Sequence, residues 1–243
     1  MVTKKERVLP VITHAIALRN HGTASEFGEM LWAVLGEVAA FYNLDKPRAQ
    51  FQRRWIGDAV PPTAMTDADQ VIIAKLDWNW WKGVRSEAGR LVDYKLLGSA
   101  VRELLPELER ILIVTDEELN PPPDWRYVIW WDVSVKGDGA VSLAPLDPRY
   151  WGDTDPQRLE TVKWRIRASL LCMTGLRLGF RRCQNTKCYL YENVDSVSVL
   201  DEMVTLGPEH STEGLTDKVF AGEIDESLGL EAIIDQPAAS SEF

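Results

Sequence analysis

The sequence predicts an α+β fold, a mixed β-sheet packed with long helices, with a helical N-terminal extension and an acidic, flexible C-terminal tail. Three observations predict it. Residues 27–42 and 159–173 place apolar side chains at helical spacing over four turns each. Residues 111–114, 127–135 and 140–144 are short runs rich in β-branched and aromatic side chains. Beyond residue 211 the chain is acidic and ends in a Pro-Ala-Ala-Ser-Ser stretch, a composition that orders poorly by itself. At 243 residues and 45% hydrophobic content, the chain can bury a substantial core.

In chain order, residues 5–20 read as a helix stopped at Asn20-His21-Gly22. Thr23 and Glu26 fit a capping box opening the next helix, whose stripe is Phe27, Met30, Leu31, Val34, Leu35, Val38 and Tyr42. The two would form a helical hairpin. Residues 48–55 read as a further short helix, and 59–66, with adjacent prolines, as a loop. Residues 71–78 suit a strand or a helix equally. Residues 87–109 read as a long amphipathic helix despite Pro106, and 111–114 as a buried strand. Residues 127–135 and 140–144 form two strands joined by a turn at 136–139. Pro156 then opens the last long helix, with Leu159, Val162, Ile166, Leu170 and Met173 on its stripe. The expected domains are a helical region at 1–60, an α+β domain at 61–211 and the tail at 212–243.

Composition narrows the function. No run approaches the roughly 18 apolar residues of a membrane span. Three cysteines do not make a disulfide framework, and no signal-peptide pattern opens the chain, so a reduced, cytoplasmic setting is expected. Net charge is −10, but residues 158–187 carry eight basic residues against Glu160, and from Glu192 onward thirteen acids face Lys218 alone. Such a cationic segment can receive an anionic partner, including this chain's own tail. Nucleic acid is the less favoured partner because of the overall charge. The ten tryptophans suit core and interface roles.

Residues 172–190 hold all three cysteines, Cys172, Cys183 and Cys188, the last two as a C-x4-C pair after Gly179 and two arginines. Zinc proteases of the metzincin type use H-E-x-x-H-x-x-G-x-x-H, with two histidines one helical turn apart as ligands and the glutamate as general base. Aligned on Cys183 and Cys188, the segment resembles the archaemetzincins, in which the third histidine is followed directly by C-x4-C-x-M. Gly179 falls on the motif glycine. Residues 111–119, ending in Thr-Asp-x-x-Leu, residues 140–146 and Ser198-Val-Leu-Asp201 resemble further parts of that family in the same order. The resemblance covers roughly residues 87–210 and implies a metzincin-like fold.

It also exposes the departures. The first histidine is replaced by Cys172, the glutamate by Met173, the second histidine by Leu176, the third by Arg182 and the turn methionine by Leu190. No zinc is therefore expected at the catalytic position, where a cation at 182 would repel the metal. The family's second, structural zinc uses a later C-x-x-C that falls near Pro208 and Ser211 here. Cys183, Cys188 and His210 would supply three ligands for one structural zinc, with Glu209 or Asp201 as a fourth; two buried thiols without metal are the plain alternative.

The expected function is that of a pseudo-protease acting as a binding or scaffold subunit of a larger complex. Arg177, Arg181, Arg182 and Lys187 form its expected cationic binding face. Two alternatives remain open. One is an enzyme of another class reusing the cleft through Cys172 or carboxylates such as Asp116 and Glu117; the other is a nucleic-acid accessory protein using residues 158–187.

Overall fold

The computed structural model describes residues 11–19, 21–43, 49–56, 71–72, 78–85, 91–108, 110–123, 125–132, 138–154 and 156–210. Its strands are β1 (Val11–Ala17), β2 (Gln50–Ile56), β3 (Val71–Ile72), β4 (Arg110–Thr115), β5 (Trp130–Asp132) and β6 (Gly139–Ser142). They form one sheet in the order β3-β2-β1-β4-β6-β5, parallel except for β5, which pairs antiparallel to β6 at the edge. This is the mixed sheet of an α+β fold. Its helices are α1 (His21–Asn43), α2 (Trp78–Gly83), α3 (Tyr94–Leu104), α4 (Arg158–Arg177) and α5 (Val197–Glu202).

The N-terminal segment corrects two expectations. Residues 11–17 are the central strand β1, not part of a helix, and residues 50–56 are β2, not a short helix. A strand at the middle of a parallel sheet is buried on both faces, so its sequence shows no polar alternation. Ile12 and Ile16 enter one core cluster while Ala15 and Ala17 enter the other. In β2, Trp55 and Ile56 divide in the same way. The expected hairpin is instead a β1-α1-β2 unit, and β2 pairs with β3, so the sheet continues across residue 60.

Helix α1 follows its apolar stripe, whereas Leu159, on the expected stripe of α4, is exposed. Phe27, Leu31, Val34, Leu35, Val38 and Tyr42 of α1 are all buried. The side chains of Thr23 and Glu26 lie outside the described residues, as do residues 59–66, 73–77, 86–90, 133–137, which hold part of the expected strand and turn, and 211–243. Helix α3 is shorter than expected. It starts where the Asp93 carboxylate accepts the N–H groups of Lys95 and Leu96 at 2.8 and 3.2 Å. It ends at Leu104, two residues before Pro106, which cannot donate to a further turn.

The result is three layers, with α1 and α4 on one face of the sheet and α2 and α3 on the other. Helix α4 starts beside the 3-10 turns Ala144–Leu146 and Pro148–Trp151, which follow the carboxyl end of β6. Its last residue lies against Gly139 and Arg110, at the amino ends of β6 and β4. Its 20 residues thus carry the chain about 30 Å back along the sheet to the cysteine segment. Among the described residues, no helix is long and apolar enough to cross a membrane.

Candidate functional site

The carboxyl-terminal half of α4 is packed almost without exposure. Cys172, Met173, Thr174 and Gly175 are all buried and Leu176 is half-buried. Gly175 is required by its surroundings: a Cβ there would lie 2.5 Å from Tyr42 Oη and 2.8 Å from Leu190 Cδ2. Tyr42 Oη donates to the Leu171 carbonyl at 2.6 Å, tying α1 to α4. The two positions at which the metzincin frame expects a zinc ligand and the general base are therefore a core thiol and a core thioether. The thiol of Cys172 is fully enclosed, which does not suit the partly exposed, electropositive setting of a reactive cysteine.

The sheet side of α4 carries polar residues that the sequence reading had not singled out as a group. His14 of β1 is completely buried, its Nε2 is 3.2 Å from Thr174 Oγ1, and its ring stacks on Phe51. Burial, followed by the charges of Arg177 and Arg53, lowers its pKa to about 3, so the imidazole is neutral. Arg177 donates to the Met173 carbonyl at 2.8 Å, and its guanidinium lies over Gly139 so closely that a Cβ there would collide with Nη2. Arg177 is 4% exposed. It belongs to the core and not to the expected cationic face. A histidine within the apolar run of β1 was the one sequence signal for this cluster.

After α4 the chain turns at Gly179, whose φ of 83° is left-handed and favours glycine. This is the position of the motif glycine in the metzincin frame. Arg181 and Lys187 are exposed and Arg182 is half-buried, so the structure keeps three of the four expected cations outside the core. The C-x4-C loop is closed by backbone bonds from Cys183 N to Leu190 O (3.0 Å), Tyr189 N to Thr205 O (2.8 Å) and Glu192 N to Cys183 O (2.9 Å). Leu190 is fully buried, with its Cδ2 beside Gly175.

This loop brings the predicted metal ligands together. The ligand atoms of Cys183, Cys188 and His210 all lie within 4.8 Å of one another. Zinc–sulfur bonds of about 2.3 Å in tetrahedral array put ligand atoms roughly 3.5–4 Å apart, so a small contraction would suffice. Cys188 Sγ accepts the N–H of Leu190 at 3.3 Å and of Gly207 at 3.2 Å, which orients it. Two sulfurs and an imidazole suit zinc. Asp201 does not complete the set, because both its oxygens accept from Arg165 at 2.8 Å. The Glu209 side chain lies outside the described residues. The positions aligned with the metzincin motif offer no comparable donor set: Cys172 and Met173 are enclosed in the core, Leu176 is apolar and Arg182 is cationic, so together they do not fit a zinc ion.

At the far end of α4 a second polar region lies outside the carboxyl ends of the parallel strands. Glu117 pairs with Arg19 at 3.1 Å and Arg85 at 2.8 Å, and Asp116 accepts the backbone N–H of Arg19 at 2.8 Å. Asp147 accepts from Arg149 and Arg158 at 2.9–3.1 Å. Its burial favours the neutral acid, but these bonds outweigh that and hold its pKa below the usual value. A crevice of about 150 Å³ opens between Phe27, Asp116, Asp147 and Tyr150. The carboxylates considered as catalytic candidates are thus bound into ion pairs and turn contacts.

The fold is a mostly parallel sheet with an antiparallel edge strand, backed by a long helix after which the chain turns at a left-handed glycine. Among solved structures it is similar to the archaemetzincin of Methanopyrus kandleri, with a TM-score of 0.52 and 17% identity over 91% of this chain and 98% of that one. It is also similar to the archaemetzincin of Archaeoglobus fulgidus complexed with malonate (TM-score 0.50, 15% identity, 82% of this chain, 96% of that one). A third similar structure is a zinc-dependent peptidase from Methanocorpusculum labreanum (TM-score 0.50, 16% identity, 82% and 96%). No protein-family model and no curated protein matches the sequence. The chain therefore has an archaemetzincin-like fold, and at these identities the likeness speaks for the fold alone.

Proposed function

We propose that the chain is a non-catalytic protein of archaemetzincin-like fold that works by binding, as a scaffold subunit of a larger complex. The observation that carries this reading is the occupancy of the motif positions. Cys172 and Met173 are enclosed in the core, Leu176 is apolar, and Arg182 brings a cation to the third histidine position. A zinc peptidase needs three neutral or anionic ligands and a base at a solvent-reached site, and these residues supply none of that. In this reading Cys183, Cys188 and His210 hold one structural zinc, which when bound fixes the loop and the start of the C-terminal segment. The acidic residues 212–243 and an external protein partner are the candidates to meet Arg181, Arg182 and Lys187.

The nucleic-acid alternative is weakened by pairing within residues 158–187. Arg158 meets Asp147, Arg165 meets Asp201, and Lys163 and Arg167 both meet Glu37. The test combines metal analysis with a peptidase assay on the purified full chain. The expected result is one zinc per chain, lost on Cys188→Ser, and no peptide cleavage with or without added zinc. Zinc-dependent cleavage that disappears in Cys172→Ala would overturn the proposal.

A further inference from the structure

The second face of the sheet, remote from α4, holds a buried cation with no counter-charge among the described residues. Arg54 of β2 is 8% exposed, and its Nε and Nη1 are fully buried with no hydrogen-bond partner among the described residues. Its Nη2 donates to Gln52 Oε1 at 3.1 Å. No carboxylate among the described residues pairs with it. A guanidinium cannot escape such a setting by losing its proton, and an enclosed, uncompensated charge is strongly unfavourable.

The strand register shows what else faces the same space. Thr13 pairs with Gln52 and Ala15 with Arg54 across β1 and β2. Residues in register on adjacent strands share a face, and diagonal neighbours lie within reach of long side chains. Thr13 is fully buried and its Oγ1 also has no partner among the described residues. Ala15, the in-register neighbour of Arg54, carries only a methyl group and offers the guanidinium no acceptor. The carbonyl of the Gln52 amide is taken by Arg54, which leaves its NH2 as a donor. The unmet groups are thus two guanidinium nitrogens and a hydroxyl, beside the half-buried Gln52 amide. Their common complement is an acceptor that carries negative charge.

We propose that Arg54, Gln52 and Thr13 form an internal binding site for one small oxyanion, a phosphate, sulfate or carboxylate group. The charge-assisted bonds it accepts would neutralise Arg54 and anchor β2 beneath the α2–α3 layer. The site lies on the face opposite α4 and is separate from the degenerate zinc-protease frame.

The test is thermal unfolding of the full chain in inorganic phosphate, sulfate or acetate, against chloride at matched ionic strength. Binding to the native state alone raises the midpoint with ligand concentration. The expected result is a saturable rise of a few degrees in at least one oxyanion. Phosphate and sulfate acting without acetate would identify the tetrahedral anions, and acetate acting alone a carboxylate ligand. Arg54→Met should abolish the dose dependence, and Thr13→Val should weaken the apparent affinity about tenfold. A wild-type midpoint indifferent to all three anions would overturn the proposal, as would an Arg54→Met chain that responds like wild type. If Arg54→Met fails to fold, the wild-type dose response and a shifted midpoint concentration in Arg54→Lys decide the question.

Discussion

Lowering the pH from 8 to 5 should destabilise this protein through one residue, His14. Its imidazole is wholly buried between β1 and α4, bonded to Thr174, stacked on Phe51 and faced by the cations Arg177 and Arg53. Burial and then those charges lower its pKa from 6.5 to about 3. Between these values the unfolded chain binds a proton that the folded chain refuses, so stability is complete above about pH 6.5 and falls as the pH drops. With these two values, His14 alone removes about 2 kcal/mol between pH 8 and pH 5. For a chain of this size that corresponds to a fall of roughly 4–8 °C in midpoint. The assay is denaturant unfolding at both pH values for wild type and His14→Gln. The variant is expected to be less stable at pH 8 but to lose about 2 kcal/mol less on going to pH 5. Equal losses in the two proteins, or an NMR titration that places His14 near 6.5, would refute the reasoning.

Two further outcomes follow from packing and charge. Gly139→Ala should cost about 1–3 kcal/mol in urea unfolding, because the new Cβ collides with Arg177 Nη2 and lies 2.7 Å from the Trp131 carbonyl. An unchanged midpoint would show that Arg177 does not lie over β6. Removing residues 212–243 should increase retention on heparin by uncovering Arg181 and Lys187, and unchanged retention would sink the idea that the acidic tail covers this face.

Much of the fold could be read from side-chain spacing, and the exceptions share a cause. The stripe of α1 was legible because that helix buries one face and leaves the other in solvent, whereas the carboxyl-terminal half of α4 is buried all round. β1 and β2 were not, because both of their faces are covered and the two-residue period disappears. The glycine and cysteine frame at 179–188 was legible as a pattern, and the structure gives it a left-handed turn and a ligand cluster with His210. The cationic face was only partly legible. Arginine in a sequence suggests surface, yet Arg177 lies in the core and Arg54 on the far side of the sheet.

The sequence by itself determined which side chains stand at the aligned motif positions, a cysteine, a methionine, a leucine and an arginine, with no histidine or carboxylate among them. Only the tertiary structure decided which side chains meet. His14 and Thr174 are 160 residues apart in the chain and touch because β1 runs through the centre of the sheet beneath α4. Contacts of that kind depend on strand order and helix placement, which local spacing does not encode.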